Sequence, residues 1–245
     1  MNFNNLPLVT QRLIILNALV FLFTGFIAPS LQSTFALYYF DSPSFLPYQL
    51  LTHMFTHGGL MHIFFNMFAL FMFGAPLERV WGPQKFLIFY LITGLGAVFL
   101  HQLVDYFQVQ SLLSQLTPAM QETVQEEGMS SFLASSLGQM VPSNMVEPIQ
   151  NLMGIYRTPV VGASGAVFGV LAGFAILFPN TELMMLFIPM PIKAKYFVLI
   201  YAAVELFLGV SRFGGDNIAH FAHLGGALFG FILVKYWNSK KDNFY

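Results

Sequence analysis

Six apolar segments in this chain of 245 residues are each long enough to cross, or nearly cross, a lipid bilayer. They lie near residues 11–28, 57–76, 84–104, 163–179, 194–210 and 217–237. Only 9% of the residues are charged, against about 25% in an ordinary soluble domain. This is too few charged side chains to cover the surface of a water-soluble protein of this size. Because a backbone inside lipid must satisfy its own hydrogen bonds, the sequence predicts an all-α membrane protein with six transmembrane helices.

The first apolar segment resembles a signal peptide in part, since Arg12 precedes the run Leu13–Ala28. The run is longer than a usual signal core, and no clean small-x-small cleavage site follows it. We therefore expect a retained first span, and a single membrane domain over residues 1–245.

The distribution of basic residues predicts the orientation in the membrane. If the amino terminus is cytoplasmic, eight of the ten Lys and Arg residues lie inside and two lie outside. The inner set is Arg12, Arg79, Lys85, Lys193, Lys195, Lys235, Lys240 and Lys241, and the outer set is Arg157 and Arg212. By the positive-inside rule, both termini are predicted to be cytoplasmic.

Composition excludes several classes of function. The net charge of −1 gives no basic surface for nucleic acid. The absence of cysteine excludes disulfides, cysteine-ligated metals and a cysteine nucleophile.

Residues 105–159 form a long polar insertion, which the topology predicts to lie on the outer face. The patch Leu112, Leu113 and Leu116 is compatible with short amphipathic helices on the membrane surface. A flexible insertion is the equal alternative.

All six histidines lie within or beside the predicted spans, where a polar side chain is costly unless it has a partner or a function. They are His53, His57, His62, His101, His220 and His223. All but His101 lie near the outer ends of the second and sixth spans, and the fourth span begins on the same side. The sequence therefore predicts that polar groups from three separate segments meet at one depth.

Ser164 is predicted to open the fourth span, where free backbone N–H groups and the helix dipole favour an anion. The segment Ser164–Phe178 would be about 22 Å long, which is shorter than a hydrocarbon core of about 30 Å. The serine is therefore expected below the membrane surface, in a cavity that admits water. A lone serine in a membrane helix usually only packs, but the histidines at the same depth favour a nucleophile.

Small residues at four-residue spacing predict close packing of the fourth and sixth spans. They are Gly165, Gly169 and Gly173 in one span and Gly226 and Gly230 in the other. At about 100° per residue, His223 lies about 40° from the mean direction of the sixth-span glycines, and His220 about 100° away. We predict that His223 is the base and that His220 is a supporting or lipid-interface residue.

His62 and Asn66, four residues apart, share one face of the second span. Both can donate hydrogen bonds to an oxyanion, and the backbone N–H of Ser164 would complete the site. A simple hydrogen-bonded pair between helices is the alternative. Glu205 is expected to be a buried packing or hydrogen-bonding group, and Asp216 is expected to border the sixth span. Because neither carboxylate is clearly placed as a third member, we predict a catalytic dyad of Ser164 and His223.

Together these motifs resemble those of the rhomboid proteases. They are Leu50–His62 with Asn66, Glu78–Gly82 before Phe89 and Tyr90, Gly162–Gly165, and Ala222–Gly226 with Gly230. The likeness covers the first three spans and residues 160–237.

The resemblance implies a rhomboid bundle in which Ser164 is the nucleophile and His223 the base. It implies that His62 and Asn66 contribute to the oxyanion site, supported by the Gly162 loop, and that Phe168 offers an aromatic surface to the base. It also implies cleavage of single transmembrane segments near small residues, with no cofactor and no metal. We expect a bacterial cytoplasmic membrane, with an organellar membrane as the alternative, and an active site open to the outer side.

Two other classes of protein fit part of the pattern. A non-catalytic rhomboid-like protein that binds membrane clients would usually lack the serine or the histidine, and both are present. A membrane metalloenzyme would use imidazole ligands such as the pairs His53, His57 and His220, His223. The histidines are too few for a two-iron site, and the HExxH motif of zinc proteases is missing.

Overall fold

The computed structural model describes residues 5–136, 142–185, 188–211 and 219–241, and the chain is mostly helical within them. Arg212, Asp216 and the first residues predicted for the sixth span lie outside these ranges. Four described helical stretches are long and apolar enough to cross a membrane: Leu8–Ile27, Leu60–Trp81, Pro83–Leu113 and Ala194–Ser211. Ser164–Leu177 is a shorter apolar helix.

The first half of the chain contains α1 (Leu8–Leu22), which continues as a π-helical segment over Phe23–Ile27. The short helices α2 (Ser30–Phe35) and α3 (Gln49–Thr52) follow, and a 3₁₀ turn over His53–Phe55 extends α3. Helix α4 (Leu60–Ala69) runs through a second π-helical segment, Leu70–Gly74, into α5 (Ala75–Trp81), and α6 spans Pro83–Leu113.

The second half contains α7 (Pro118–Glu127), α8 (Met129–Ser136), α9 (Ser143–Arg157) and α10 (Ser164–Leu177). Two strands, β1 (Glu182–Met185) and β2 (Ile188–Lys193), precede α11 (Ala194–Ser211) and α12 (His220–Lys241).

The hairpin of β1 and β2 corrects the all-α prediction. The strands are antiparallel, with Glu182 opposite Lys193 and Leu183 opposite Ile192. This connection carries Pro189 and Pro191, which cannot donate the backbone hydrogen bonds of a helix interior. Pairing of two short strands satisfies many of its backbone groups instead.

Helix α10 is the centre of the bundle. Its residues from Gly165 to Ala175 are all buried, and it packs against both α6 and α12. A helix that is apolar on every side is stable only when other helices or lipid surround it. The core around it includes Met54, Leu70, Phe86 and Phe89.

Glu78 ties α5 to the start of α1. Its Oε1 accepts a hydrogen bond from the Val9 N–H at 2.8 Å. Its Oε2 accepts from the Thr10 N–H at 2.7 Å and from the Thr10 hydroxyl at 2.8 Å. These N–H groups have no partner within their own helix, so the buried carboxylate completes the first turn of α1.

Residues 105–159 form helices whose apolar side chains pack together. Leu112 and Leu116 are buried in one cluster with side chains of α8 and α9. The cluster also contains Tyr39, Val109, Met129, Phe132, Leu133, Met145, Ile149, Leu152 and Tyr156. Helix α6 continues to Leu113, so its last turns contribute Val109 and Leu112 to this cluster.

Two contacts attach the insertion to the loop after α2. The Tyr156 hydroxyl donates to Asp41 Oδ2 at 2.5 Å, and the Ser42 hydroxyl donates to the Tyr156 carbonyl at 2.9 Å. Leu37 and Val160 also form an antiparallel bridge next to the loop that leads into α10.

Candidate active site

The loop before α10 holds Ser164 at the first position of the helix. The Gly162 N–H donates to the His53 carbonyl at 2.9 Å. Gly162 has a φ of 121°, a conformation that side chains disfavour, and a Cβ there would lie 2.7 Å from His62 Nε2. That Cβ position is also 3.6 Å from Ser164 Oγ, so the His62 ring and the serine hydroxyl flank the same point.

His223, in the first turn of α12, contacts Ser164. His223 Nε2 lies 2.9 Å from Ser164 Oγ, which is a hydrogen-bond distance. Ser164 is half-buried and His223 is 9% exposed, so the two side chains are largely shielded by the helix bundle. This geometry suits proton transfer from a hydroxyl to an imidazole.

Glycines allow α12 to approach α10 closely enough for this contact. A Cβ on Gly226 would overlap the carbonyl oxygen of Gly165, and a Cβ on Gly230 would lie 2.7 Å from the Gly169 oxygen. The glycines of α10 face α6 instead, where a Cβ on Gly165 would lie 2.5 Å from Ala97 Cβ. Helix α10 is therefore in close contact on two sides.

Phe168 sets the plane of the His223 ring. The two rings are stacked, with centroids 4.2 Å apart and planes 6° apart. Tyr201 of α11 packs on Phe168 at a centroid distance of 4.8 Å. A stacked aromatic neighbour limits rotation of the imidazole.

His62 has one ring nitrogen directed at the Gly58 N–H and the other beside Gly162. The Gly58 N–H donates to His62 Nδ1 at 3.4 Å, which leaves the proton of a neutral ring on Nε2. Nε2 is the atom beside Gly162, so this tautomer presents a donor on the serine side. Asn66 is buried, and its amide donates to the His62 carbonyl at 2.9 Å within α4.

His53 and His57 support the loop before Ser164. The Ala163 N–H donates to His57 Nε2 at 3.5 Å, and the Gly162 N–H donates to the backbone of His53. His53 Nδ1 is 2.8 Å from the Gln49 carbonyl, and burial lowers the pKa of His53 to about 4. His53 is therefore neutral at physiological pH, which is consistent with a supporting residue.

Glu205 is the polar group that motif reasoning did not place at the site. Its Oε2 lies 2.6 Å from His220 Nδ1 and 3.0 Å from His223 Nδ1. The His220 contact is aligned as a hydrogen bond, whereas the His223 contact has a short distance without that alignment. His220 is also buried, so it does not face lipid.

An ionisable residue inside an apolar segment is the signal that could have identified Glu205. The helical period alone could not identify Glu205, because it does not specify how α11 is rotated against α12.

Glu205, His220 and His223 could also hold a metal ion. Their donor atoms all lie within 4.8 Å of one another, and two imidazoles with a carboxylate are a ligand set that zinc accepts.

Comparison with known proteins gives one consistent result. Residues 45–239 match the Rhomboid domain. The chain is 26% identical over 231 residues to the human presenilin-associated rhomboid-like protein, mitochondrial, covering 91% of this chain and 47% of that protein. It is 31% identical over 179 residues to the RHOMBOID-like protein 12, mitochondrial, of Arabidopsis thaliana, covering 73% of this chain and 43% of that protein.

A bacterial relative is also similar. The chain is 26% identical over 193 residues to the rhomboid protease AarA of Providencia stuartii, covering 74% of this chain and 52% of that protein. The chain thus spans about half the length of the curated relatives it matches. Because the matched domain covers most of this multi-pass membrane protein, the chain belongs to the rhomboid family.

Proposed function

We propose that this chain is an intramembrane serine endopeptidase that cleaves transmembrane segments of other membrane proteins. The observation that carries the proposal is the 2.9 Å contact between His223 Nε2 and Ser164 Oγ. A serine hydroxyl becomes an effective nucleophile when a neighbouring base takes its proton. Membership of the rhomboid family, with a relative named a rhomboid protease, supports the same activity.

The reaction is expected to begin with addition of Ser164 Oγ to the scissile carbonyl carbon, while the hydroxyl proton passes to His223 Nε2. The oxyanion would accept hydrogen bonds from the Ser164 N–H and from His62 Nε2, with the second amide proton of Asn66 as a further donor. The imidazolium then returns its proton to the leaving amine. Water, activated by the same ring, hydrolyses the acyl-serine.

The proposed topology is a rhomboid bundle of six transmembrane helices with both termini in the cytoplasm. In this arrangement α10 and α12 join the four long apolar stretches, and the excess of basic residues on the cytoplasmic side supports the orientation. The active site would open to the outer side. We propose a bacterial cytoplasmic membrane, and single-pass proteins with small residues near the outer end of their helix as substrates.

The activity can be tested in liposomes that contain a single-pass substrate and one of three purified proteins. These are wild type, Ser164→Ala and His223→Ala. We expect cleavage and fluorophosphonate labelling of wild type, and loss of both in Ser164→Ala. Cleavage by His223→Ala at the wild-type rate would overturn the assignment of the base.

The client-binding alternative makes a different prediction for the same experiment. If the chain is a non-catalytic rhomboid-like protein, wild type and Ser164→Ala would bind the substrate with the same affinity, and neither would cleave it. If wild type takes no label and cleaves none of several substrates, the client-binding hypothesis would therefore replace the peptidase hypothesis.

A metalloenzyme is the second candidate, because Glu205, His220 and His223 offer three ligand atoms within 4.8 Å of one another. It would lose activity after treatment with a chelator and regain it with zinc. The serine peptidase is expected to keep its activity throughout.

A further inference from the structure

A carboxylate from α11 lies behind the His223 ring, on the side away from Ser164. Glu205 Oε2 is 3.0 Å from His223 Nδ1, and Nε2 of the same ring is 2.9 Å from Ser164 Oγ. Hydroxyl, imidazole and carboxylate thus follow one another in the order that a serine triad uses. We propose that Glu205 is a positioning residue for His223 and that His220 holds its carboxylate in place, an inference that rests on the proposed peptidase function.

The burial of Glu205 supports this role. Within α11, the structure describes only Ala194 and Glu205 as buried, while most of the helix is exposed apolar surface. A carboxylate in an apolar setting is costly unless it is paired. The two imidazoles of α12 are the partners that compensate this cost.

His220 supplies the stronger contact to the carboxylate. His220 Nδ1 and Glu205 Oε2 are 2.6 Å apart and aligned as a hydrogen bond. His220 and His223 are three residues apart on α12, so their side chains are neighbours on the helix surface. Oε2 is therefore held by one imidazole at the position where it faces the other.

The carboxylate determines which nitrogen of His223 carries the proton. A negative oxygen beside Nδ1 favours the N–H on that atom, which leaves the Nε2 lone pair directed at Ser164. The opposite tautomer would place a proton on Nε2, and the ring could not accept the serine proton. Glu205 thus keeps His223 in the form that acts as a base.

The same carboxylate is suited to the charge that forms during the reaction. When Nε2 takes the proton of Ser164, a cationic ring forms 3.0 Å from Glu205. Four neighbouring titratable groups carry no negative charge at neutral pH: His62 from α4, His101 from α6, His220 from α12 and Tyr201 from α11. The carboxylate of Asp105 is paired with His101, at 3.4 Å. Among the described residues, Glu205 is therefore the negative group positioned to stabilise the imidazolium.

A bound metal is the competing interpretation of these three side chains. Ligand atoms around a tetrahedral zinc ion are about 3.3 Å apart, given zinc–nitrogen distances near 2.0 Å. The separations of 2.6 and 3.0 Å from one carboxylate oxygen are shorter, and they match hydrogen bonds and ion pairs. The geometry therefore favours a shared carboxylate over a metal ligand.

The test compares Glu205→Gln with Asp105→Asn, in the full-length protein. Glu205→Gln keeps the size of the side chain and an acceptor for His220, but removes the charge. We expect kcat to fall about a hundredfold, with KM within about twofold of wild type, and fluorophosphonate labelling to slow in parallel. Asp105→Asn is the matched control, because Asp105 faces His101 at 3.4 Å and does not contact the serine.

A spectroscopic measurement separates positioning from a merely structural role. In ¹⁵N-histidine spectra, His223 of wild type should carry its proton on Nδ1, and Glu205→Gln should show a mixture of both tautomers. For His220, the conservative His220→Gln should keep most of the activity because its amide still donates to the carboxylate. His220→Leu should lose roughly tenfold or more in kcat, since no donor remains.

Each contrary outcome is distinguishable. Wild-type kcat in Glu205→Gln, or a proton on Nε2 in wild type, would overturn the positioning role while leaving the serine peptidase intact. If Glu205→Gln does not fold, the tautomer of wild type decides alone. Stoichiometric zinc in active wild type, with activity lost to a chelator, would assign the three side chains to a metal instead. Wild type without Ser164-dependent cleavage would count against the peptidase itself.

Discussion

Gly226 of α12 lies directly against the carbonyl oxygen of Gly165 in α10, with no space for a side chain between them. Gly165 follows Ser164, and Gly226 is three residues after His223. The close approach of the two backbones therefore sets the distance between Ser164 and His223.

Replacement of Gly226 by alanine should separate the two helices. The added Cβ would overlap a backbone oxygen, which cannot move as a flexible side chain could. We expect a lower thermal midpoint and at least a tenfold loss of fluorophosphonate labelling. Gly154→Ala in α9 is the control, because nothing lies within 4 Å of its Cβ position, and it should be neutral or stabilising. Equal labelling of both variants would refute the role of this contact.

Replacement of Phe168 should disturb the orientation of the His223 ring without removing any reacting atom. Phe168→Leu loses the stacked contact at 4.2 Å, and we expect kcat to fall roughly tenfold with little change in KM. Phe168→Tyr keeps the ring and should retain most of the activity. The measurement is steady-state cleavage of one substrate by all three proteins. A Leu variant as active as the Tyr variant would show that stacking is dispensable.

Loss of the Glu78 carboxylate should loosen α1. Glu78→Ala leaves two backbone N–H groups and the Thr10 hydroxyl without their acceptor, at a cost of about 1–3 kcal/mol for a buried unsatisfied group. We expect a lower unfolding midpoint and faster proteolysis near the amino terminus. The exposed Glu122 of α7 provides the control, since Glu122→Ala should change the midpoint very little. Identical midpoints for the two variants would contradict this account of Glu78.

Acid should destabilise the loop region through His53. Burial lowers the pKa of His53 to about 4, whereas the unfolded chain binds this proton near pH 6.5. Between these values the unfolded state holds more protons, so stability is present above pH 6.5 and is lost as pH falls toward 4. Unfolding midpoints measured from pH 7 to pH 4.5 should fall less steeply for His53→Gln than for wild type. Parallel curves for the two proteins would mean that His53 is not the titrating group.

Much of the architecture could be predicted because lipid imposes simple rules on sequence. Hydrophobic length predicted long apolar helices near residues 11–28, 57–76, 84–104 and 194–210, and the structure describes a helix of that kind at each. The Rhomboid domain confirms the family that the motifs indicated. The hairpin of β1 and β2 was missed, because a short connection between helices has no periodic pattern to read.

Part of the candidate site could also be predicted from the sequence, and part could not. Ser164, His223 and His62 could be named from local motifs, because a helix start, a four-residue glycine spacing and a shared helix face are properties of nearby residues. The contacts of Glu205 with His220 and His223 could not be predicted, and neither could the packing of Leu112 and Leu116 against α8 and α9. Both depend on how one helix is rotated and shifted against another, and the packing of distant segments decides that. The sequence alone determined which polar side chains lie at the ends of the apolar segments, and only the tertiary structure decided which of their atoms meet.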